Sequence, residues 1–255
     1  MSLITRRRFG TMAGGAFASI AIGCRATEAG QTNDGRLSAR PRAGVATTAR
    51  SERLGLDPER DAMLRLPPNA TSSAGTPLPL LIFLHGATQR GEGMLRRIGD
   101  ATDTAGVAVL APDSREITWD AIRGDYGRDV AFLDRALRRV FDTVAIDNTR
   151  VAIGGFSDGA TYALSLGLIN GDLFTHVLAF SPGFVVDGEA RGKPRFFISH
   201  GTSDQILPID QCSRLIVPAL RRRQYDVTFR EFDGRHEMPP DVAREGLGWF
   251  VDRPR

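Results

Sequence analysis

Val151-Ala152-Ile153, then Gly155-Phe156-Ser157-Asp158-Gly159, then Ala160 to Leu168: this stretch decides the fold. An apolar run reads as a buried strand, G-x-S-x-G as a tight turn, and the segment behind it as a helix. A strand, a five-residue turn and a helix form a nucleophile elbow, with a serine hydroxyl projected above the sheet. The glycines have a steric task, because side chains at Gly155 and Gly159 would meet neighbouring backbone. The apex serine is expected to hold unfavourable backbone angles. The bland alternative is a glycine-rich turn that binds nothing.

A serine hydroxyl needs a base, and the base needs an orienting acid; behind an elbow these follow in the order Ser, acid, His. Phe196-Phe197-Ile198 leads into Ser199-His200-Gly201-Thr202-Ser203-Asp204, which puts Asp204 just past a strand end. Open α/β sheets place their sites there. Val227 to Phe232 alternates like a strand and is followed by Asp233-Gly234-Arg235-His236, so His236 also stands past a strand end. The candidate catalytic residues are therefore Ser157, Asp204 and His236. Asp233 is a rival acid, but only three residues from His236 it is poorly placed to approach the far side of the ring. Taken singly, Asp204 reads equally as a turn former and His236 as a surface histidine.

Leu80 to Leu84 is a near-continuous apolar run, as in a parallel strand covered on both faces, and it ends in His85-Gly86-Ala87-Thr88. Negative charge developing on an attacked carbonyl needs backbone N–H donors, one from the residue after the nucleophile and one from this early loop. The candidate oxyanion donors are the amides of Ala87 and Asp158. His85 precedes the elbow and is expected to make a structural hydrogen bond, and His176 and His200 also read as structural. The Asp158 carboxylate would repel an oxyanion, so it is expected to point away.

Other strands are expected at about Ala62–Leu66, Val107–Ala111 and Val177–Phe180, with helices over Arg128–Phe141, Ile209–Arg223 and Pro240–Val251. Alternating strands and helices predict an α/β fold: a mainly parallel sheet with helices on both faces. The span between Ser181 and Pro194 is too short for a lid domain.

Taken together, Leu84-His85-Gly86, Pro112-Asp113, Trp119-Asp120, Asp129 to Asp134, Arg150-Val151 with the elbow, His200-Gly201-Thr202-Ser203-Asp204 with Pro208, and His236-Glu237 with Pro239 resemble an α/β-hydrolase. The likeness is to the phospholipase/carboxylesterase group and to polyhydroxybutyrate-depolymerase-like and feruloyl-esterase-like secreted enzymes. It covers residues 60 to 252. The resemblance implies a serine esterase without cofactor, acting on a small-molecule or polymer-end ester. Asp158 departs from the family, where Gln, Asn or Met is common. Trp119, Phe184, Leu207 and Met238 are candidates for an apolar pocket, and for each a plain core or surface role is equally open. An exopeptidase or amidase of the same fold and a non-catalytic surface lipoprotein are the alternatives.

The N-terminal segment has a different character. Thr5-Arg6-Arg7-Arg8-Phe9 before the small and apolar stretch Met12 to Ile22 reads as a twin-arginine export signal. Ala21-Ile22-Gly23-Cys24 resembles a lipobox, with lipid on Cys24 or simple cleavage nearby as alternatives. Residues 25 to 50 have few large apolar groups and read as a flexible tether. Residues 1–50 hold eight of the 33 basic residues against Glu28 and Asp34, which leaves 25 basic and 28 acidic residues beyond them. The positive excess thus lies outside the expected domain, and charge makes no case for a nucleic-acid partner. No His/Cys cluster has zinc spacing and no phosphate-loop motif occurs, so neither metal nor nucleotide is expected. With Cys24 lipidated or removed, Cys212 would be left without a disulfide partner.

Overall fold

Strands that are apolar at every position need cover on both faces, and one eight-stranded sheet between two helical layers supplies it. The computed structural model describes residues 34–68, 70 and 76–252. The export segment, Cys24 and the start of the expected tether lie outside the described residues. The strands are β1 (Glu52–Arg53), β2 (Ala62–Arg65), β3 (Leu78–Leu84), β4 (Ala108–Pro112), β5 (Ile146–Phe156), β6 (His176–Phe180), β7 (Arg195–Gly201) and β8 (Val227–Phe232). Their order across the sheet is β1-β2-β4-β3-β5-β6-β7-β8. Only β2 runs against its neighbours β1 and β4; every other pair is parallel.

Side chains alternate between the two faces, as the pleat requires. Leu80, Ile82 and Leu84 face one core, with Val151, Ile153, Val177, Ala179, Phe196 and Ile198. Leu81, Phe83, Ala152, Leu178, Phe180 and Phe197 face the other. The helices are α1 (Gly91–Ile98), α2 (Ala101–Thr104), α3 (Asp120–Arg123), α4 (Arg128–Thr143), α5 (Asp158–Ile169), α6 (Ser213–Arg222) and α7 (Pro240–Val251). Helices α4, α5 and α6 cover the first face, while α1 and α7 cover the second. In α4 the apolar residues Val130, Leu133, Ala136, Leu137, Val140 and Phe141 form one buried stripe. Helix α5 is buried at every position from Gly159 to Ile169 and so packs as a central helix.

The expected strands and the four expected helices are present. Ile209–Arg223 divides into a short 3-10 turn at Ile209–Gln211 and then α6.

The tether expectation fails from Asp34 onward. Leu37 and Ala39 are buried, and their backbone is tied to the body. The Leu37 N–H donates to Asn170 Oδ1 at 2.8 Å, and the amides of Ser38 and Ala39 both donate to Asp134 at 2.7 Å. Arg36 and Arg40 pair with Asp172 at 2.8 and 2.7 Å, and the Arg36 hydrogen bond leads the effects that hold the Asp172 carboxyl well below its ordinary range. Two small apolar anchors and three acceptors on the body make this segment a docked strap despite its polar composition.

Candidate active site

The turn between β5 and α5 brings Ser157 to φ 57° and ψ −122°, a region that side chains avoid. Packing enforces it. A Cβ on Gly155 would lie 2.5 Å from the backbone of Gly159, and one on Gly159 would lie 2.2 Å from Leu84 O. The Ser157 N–H donates to Phe180 O at 3.0 Å, which fixes the apex over the ends of β5 and β6.

Ser157 Oγ stands 2.8 Å from His236 Nε2, and His236 Nδ1 stands 2.7 Å from Asp204 Oδ2. The three residues named from the sequence are therefore one hydrogen-bonded chain. The loops after β7 and β8 meet closely: the Thr202 N–H donates to Phe232 O and that of Ser203 to Gly234 O, both at 2.9 Å. That approach needs Gly201, where a Cβ would sit 2.2 Å from Arg235 O. The His236 ring lies on Phe156, centroids 4.9 Å apart. Burial alone would raise the Asp204 carboxyl, but the Leu207 amide, His236 and the Ile206 amide bring it below its ordinary value. Asp204 is thereby kept as the carboxylate at neutral pH.

The loop after β3 packs against the nucleophile, since a Cβ on Gly86 would come within 3.3 Å of Ser157 Cβ. His85 braces this loop. Its Nε2 accepts from the Ser114 N–H at 2.9 Å, so Nδ1 carries the proton and donates to Gly86 O at 2.7 Å. Burial lowers its pKa and keeps the ring neutral. The Asp158 N–H is the first amide of α5, with no carbonyl one turn back to accept from it. The Asp158 carboxylate accepts from the Thr118 hydroxyl at 2.5 Å, which holds it on the loop after β4. That loop is itself laced. Asp129 accepts the amides of Arg115 and Asp120, and Asp120 accepts those of Gly127 and Asp129. Burial, and then the neighbouring Asp120, push the Asp129 carboxyl up to about 6.

Residues 130–244 match the family described as Phospholipase/Carboxylesterase, and the sheet order and elbow agree with it. The chain has the α/β-hydrolase fold. The chain is 30% identical over 160 residues to the probable feruloyl esterase C of Aspergillus oryzae, covering 60% of this chain and 57% of that protein. It thus spans a little over half the length of that curated relative. Among solved structures it resembles the fluorophosphonate-binding serine hydrolase F of Staphylococcus aureus, with a TM-score of 0.64 and 17% identity over 76% of this chain and 93% of that one. It also resembles a ferulic acid esterase from Anaeromyces mucronatus, with a TM-score of 0.56 and 18% identity over 83% and 92% of the two chains. At these identities the structural likeness is one of fold.

Two of the four pocket candidates are corrected by the structure. Trp119 is fully buried, stacked on Tyr162 at 5.2 Å, with its Nε1–H donating to His85 O at 2.8 Å. It supports the loop after β3 from behind and offers no surface to a ligand. Met238 is packed into the core under α7. Phe184 and Leu207 are half-buried, and Leu207 lies 3.4 Å from the Cβ position of Gly183, the chain neighbour of Phe184. Reading the sequence missed Thr118 as the partner of Asp158. Its one signal was position, immediately before the quoted Trp119-Asp120 pair.

Proposed function

We propose that the protein is a serine hydrolase that cleaves carboxylic esters through an acyl-enzyme on Ser157. The observation that carries this is the chain of hydrogen bonds Ser157–His236–Asp204, 2.8 and 2.7 Å long, set on an elbow. Ser157 Oγ attacks the ester carbonyl carbon while His236 Nε2 takes its proton. Asp204 holds Nδ1–H and stabilises the imidazolium. The amides of Asp158 and Ala87 face the oxyanion that forms. Collapse of the intermediate expels the alcohol, which leaves with the proton from His236. A water molecule, deprotonated by the same ring, then attacks the acyl-enzyme, and the acid departs as Ser157 regains its proton.

The likeness to a probable feruloyl esterase supports aromatic acyl esters as the first substrates to try, and half-exposed Phe184 and Leu207 offer apolar contact for such a group. A fluorophosphonate probe should label the wild type and leave Ser157→Ala unlabelled, with ester turnover falling at least about a thousandfold. Equal labelling of the two proteins would remove Ser157 from the nucleophile role. A panel of p-nitrophenyl and feruloyl esters then ranks the acyl groups.

A further inference from the structure

His200, the next-to-last residue of β7, has a side chain with no exposed surface. Its Nδ1 stands 2.7 Å from Ser213 Oγ, at the first residue of α6. Its Nε2 stands 2.7 Å from Leu207 O and 3.2 Å from Asp204 Oδ2. Both neighbours of Nε2 are acceptors, so Nε2 carries the proton, and Nδ1 accepts from the Ser213 hydroxyl. Burial lowers the pKa of this ring, which keeps it neutral.

The consequence is for the acid of the triad. Asp204 Oδ1 accepts the amides of Ile206 at 2.9 Å and Leu207 at 2.8 Å. Oδ2 faces His236 at 2.7 Å and His200 at 3.2 Å. Two amide bonds on Oδ1, the His236 bond on Oδ2 and the His200 Nε2–H beside it at 3.2 Å leave the carboxylate no rotation that keeps all of these contacts. Backbone holds Oδ1, but only the two histidines hold Oδ2. Leu207 O lies on the same Nε2–H, so one imidazole ties the acid to the loop that carries Leu207.

We infer that His200, oriented by Ser213, is a positioning residue that fixes Oδ2 of Asp204 against the catalytic histidine, extending the Ser157–His236–Asp204 chain by two members. His200 touches no substrate. It acts through Asp204, and the inference rests on the reading of Ser157 as nucleophile. The titratable groups that face the pair are His236 from the loop after β8, Glu231 on β8 and the Cys212 thiol just before α6.

The test compares the wild type with His200→Leu, His200→Gln and Ser213→Ala, following kcat and KM for p-nitrophenyl acetate against pH. His200→Leu leaves Oδ2 with one donor, so its charge acts more fully on the imidazolium. The acid limb of kcat/KM is expected to move upward, and kcat to fall about tenfold at unchanged KM because the looser carboxylate is less often aligned. His200→Gln keeps an N–H and should recover most of the rate and the original limb. Ser213→Ala should lie between them. A folded His200→Leu with wild-type kcat and an unmoved limb would overturn the inference. Should that variant not fold, nitrogen NMR of the wild type decides: a neutral ring protonated on Nε2 at about pH 6 is expected, while the Nδ1–H tautomer or an imidazolium there overturns it. If the wild type shows neither ester turnover nor probe labelling, the nucleophile reading fails, and the tautomer measurement still judges His200 by itself.

Discussion

Ser157 occupies backbone angles that a side chain tolerates only under compulsion, at φ 57° and ψ −122°. Glycine accepts them, so Ser157→Gly should melt higher than the wild type, by about 1 kcal/mol of stability, while losing ester turnover. Calorimetry checks this, and an unchanged or lower melting temperature would mean that the elbow carries no strain. Gly159 stands at the opposite extreme. A methyl there would enter the carbonyls of Leu84 and His85 at 2.2 and 2.6 Å. Gly159→Ala is therefore expected to lose about 3 kcal/mol or more and to express poorly. At this scale the candidate triad, which the structure brings together, was legible because each member sits beside a strand end and follows a fixed chain order. Trp119 and Met238 were misplaced because an apolar residue near a site can face the ligand or the core, and composition does not say which. His200 lay within the quoted His200-to-Asp204 run, yet its bond to Ser213 depends on how α6 docks on β7, which no local pattern encodes.

Elements were readable where burial was extreme. The apolar runs of β3 to β7 and the stripe of α4 announce themselves, whereas β1 has two exposed residues and hence no pattern to find. Helix α1 is masked by its glycines, of which Gly91 is needed because a Cβ there would lie 2.2 Å from Ala111 O. The strap over residues 34–50 was hidden for a related reason. Its attachment uses backbone amides, which every sequence has, and acceptors on Asp134 and Asn170 that are 95 or more positions away. Leu37 is its main apolar anchor and is 2% exposed. Leu37→Ala should lower the unfolding free energy by about 2 kcal/mol or more. An unshifted urea midpoint would return the segment to the status of a tether.

The molecule unfolds as one body if its two cores are cooperative, so titrations far apart in space add in a single stability curve. His176 packs against Trp249 and Phe250 of α7, at ring distances of 5.1 and 5.2 Å. Burial, and then the charge of Arg195, push it down to about 4. Unfolded, it would titrate at about 6.5, so the native state binds fewer protons between these values and stability is lost as pH falls from about 6.5 to 4. Asp129 has the opposite sign. Its native value of about 6 exceeds the unfolded one of about 3.9, so the native state binds more protons there and gains stability over nearly the same interval as pH falls. The two slopes oppose each other, but His85 and His200, whose pKa values burial also lowers, add to the loss, so the wild type should lose stability as pH falls from about 6.5 to 4. Below that, a steep loss is expected as Asp134, Asp147, Asp172 and Asp204, all lowered in the fold, take up protons. Replacing His176 with Leu removes one destabilising slope, and the variant should lose less stability than the wild type on acidification from about pH 6 to 4. Chemical denaturation of both proteins at a series of pH values measures this directly. A variant whose loss on acidification equals that of the wild type would show that His176 is not among the groups that oppose Asp129.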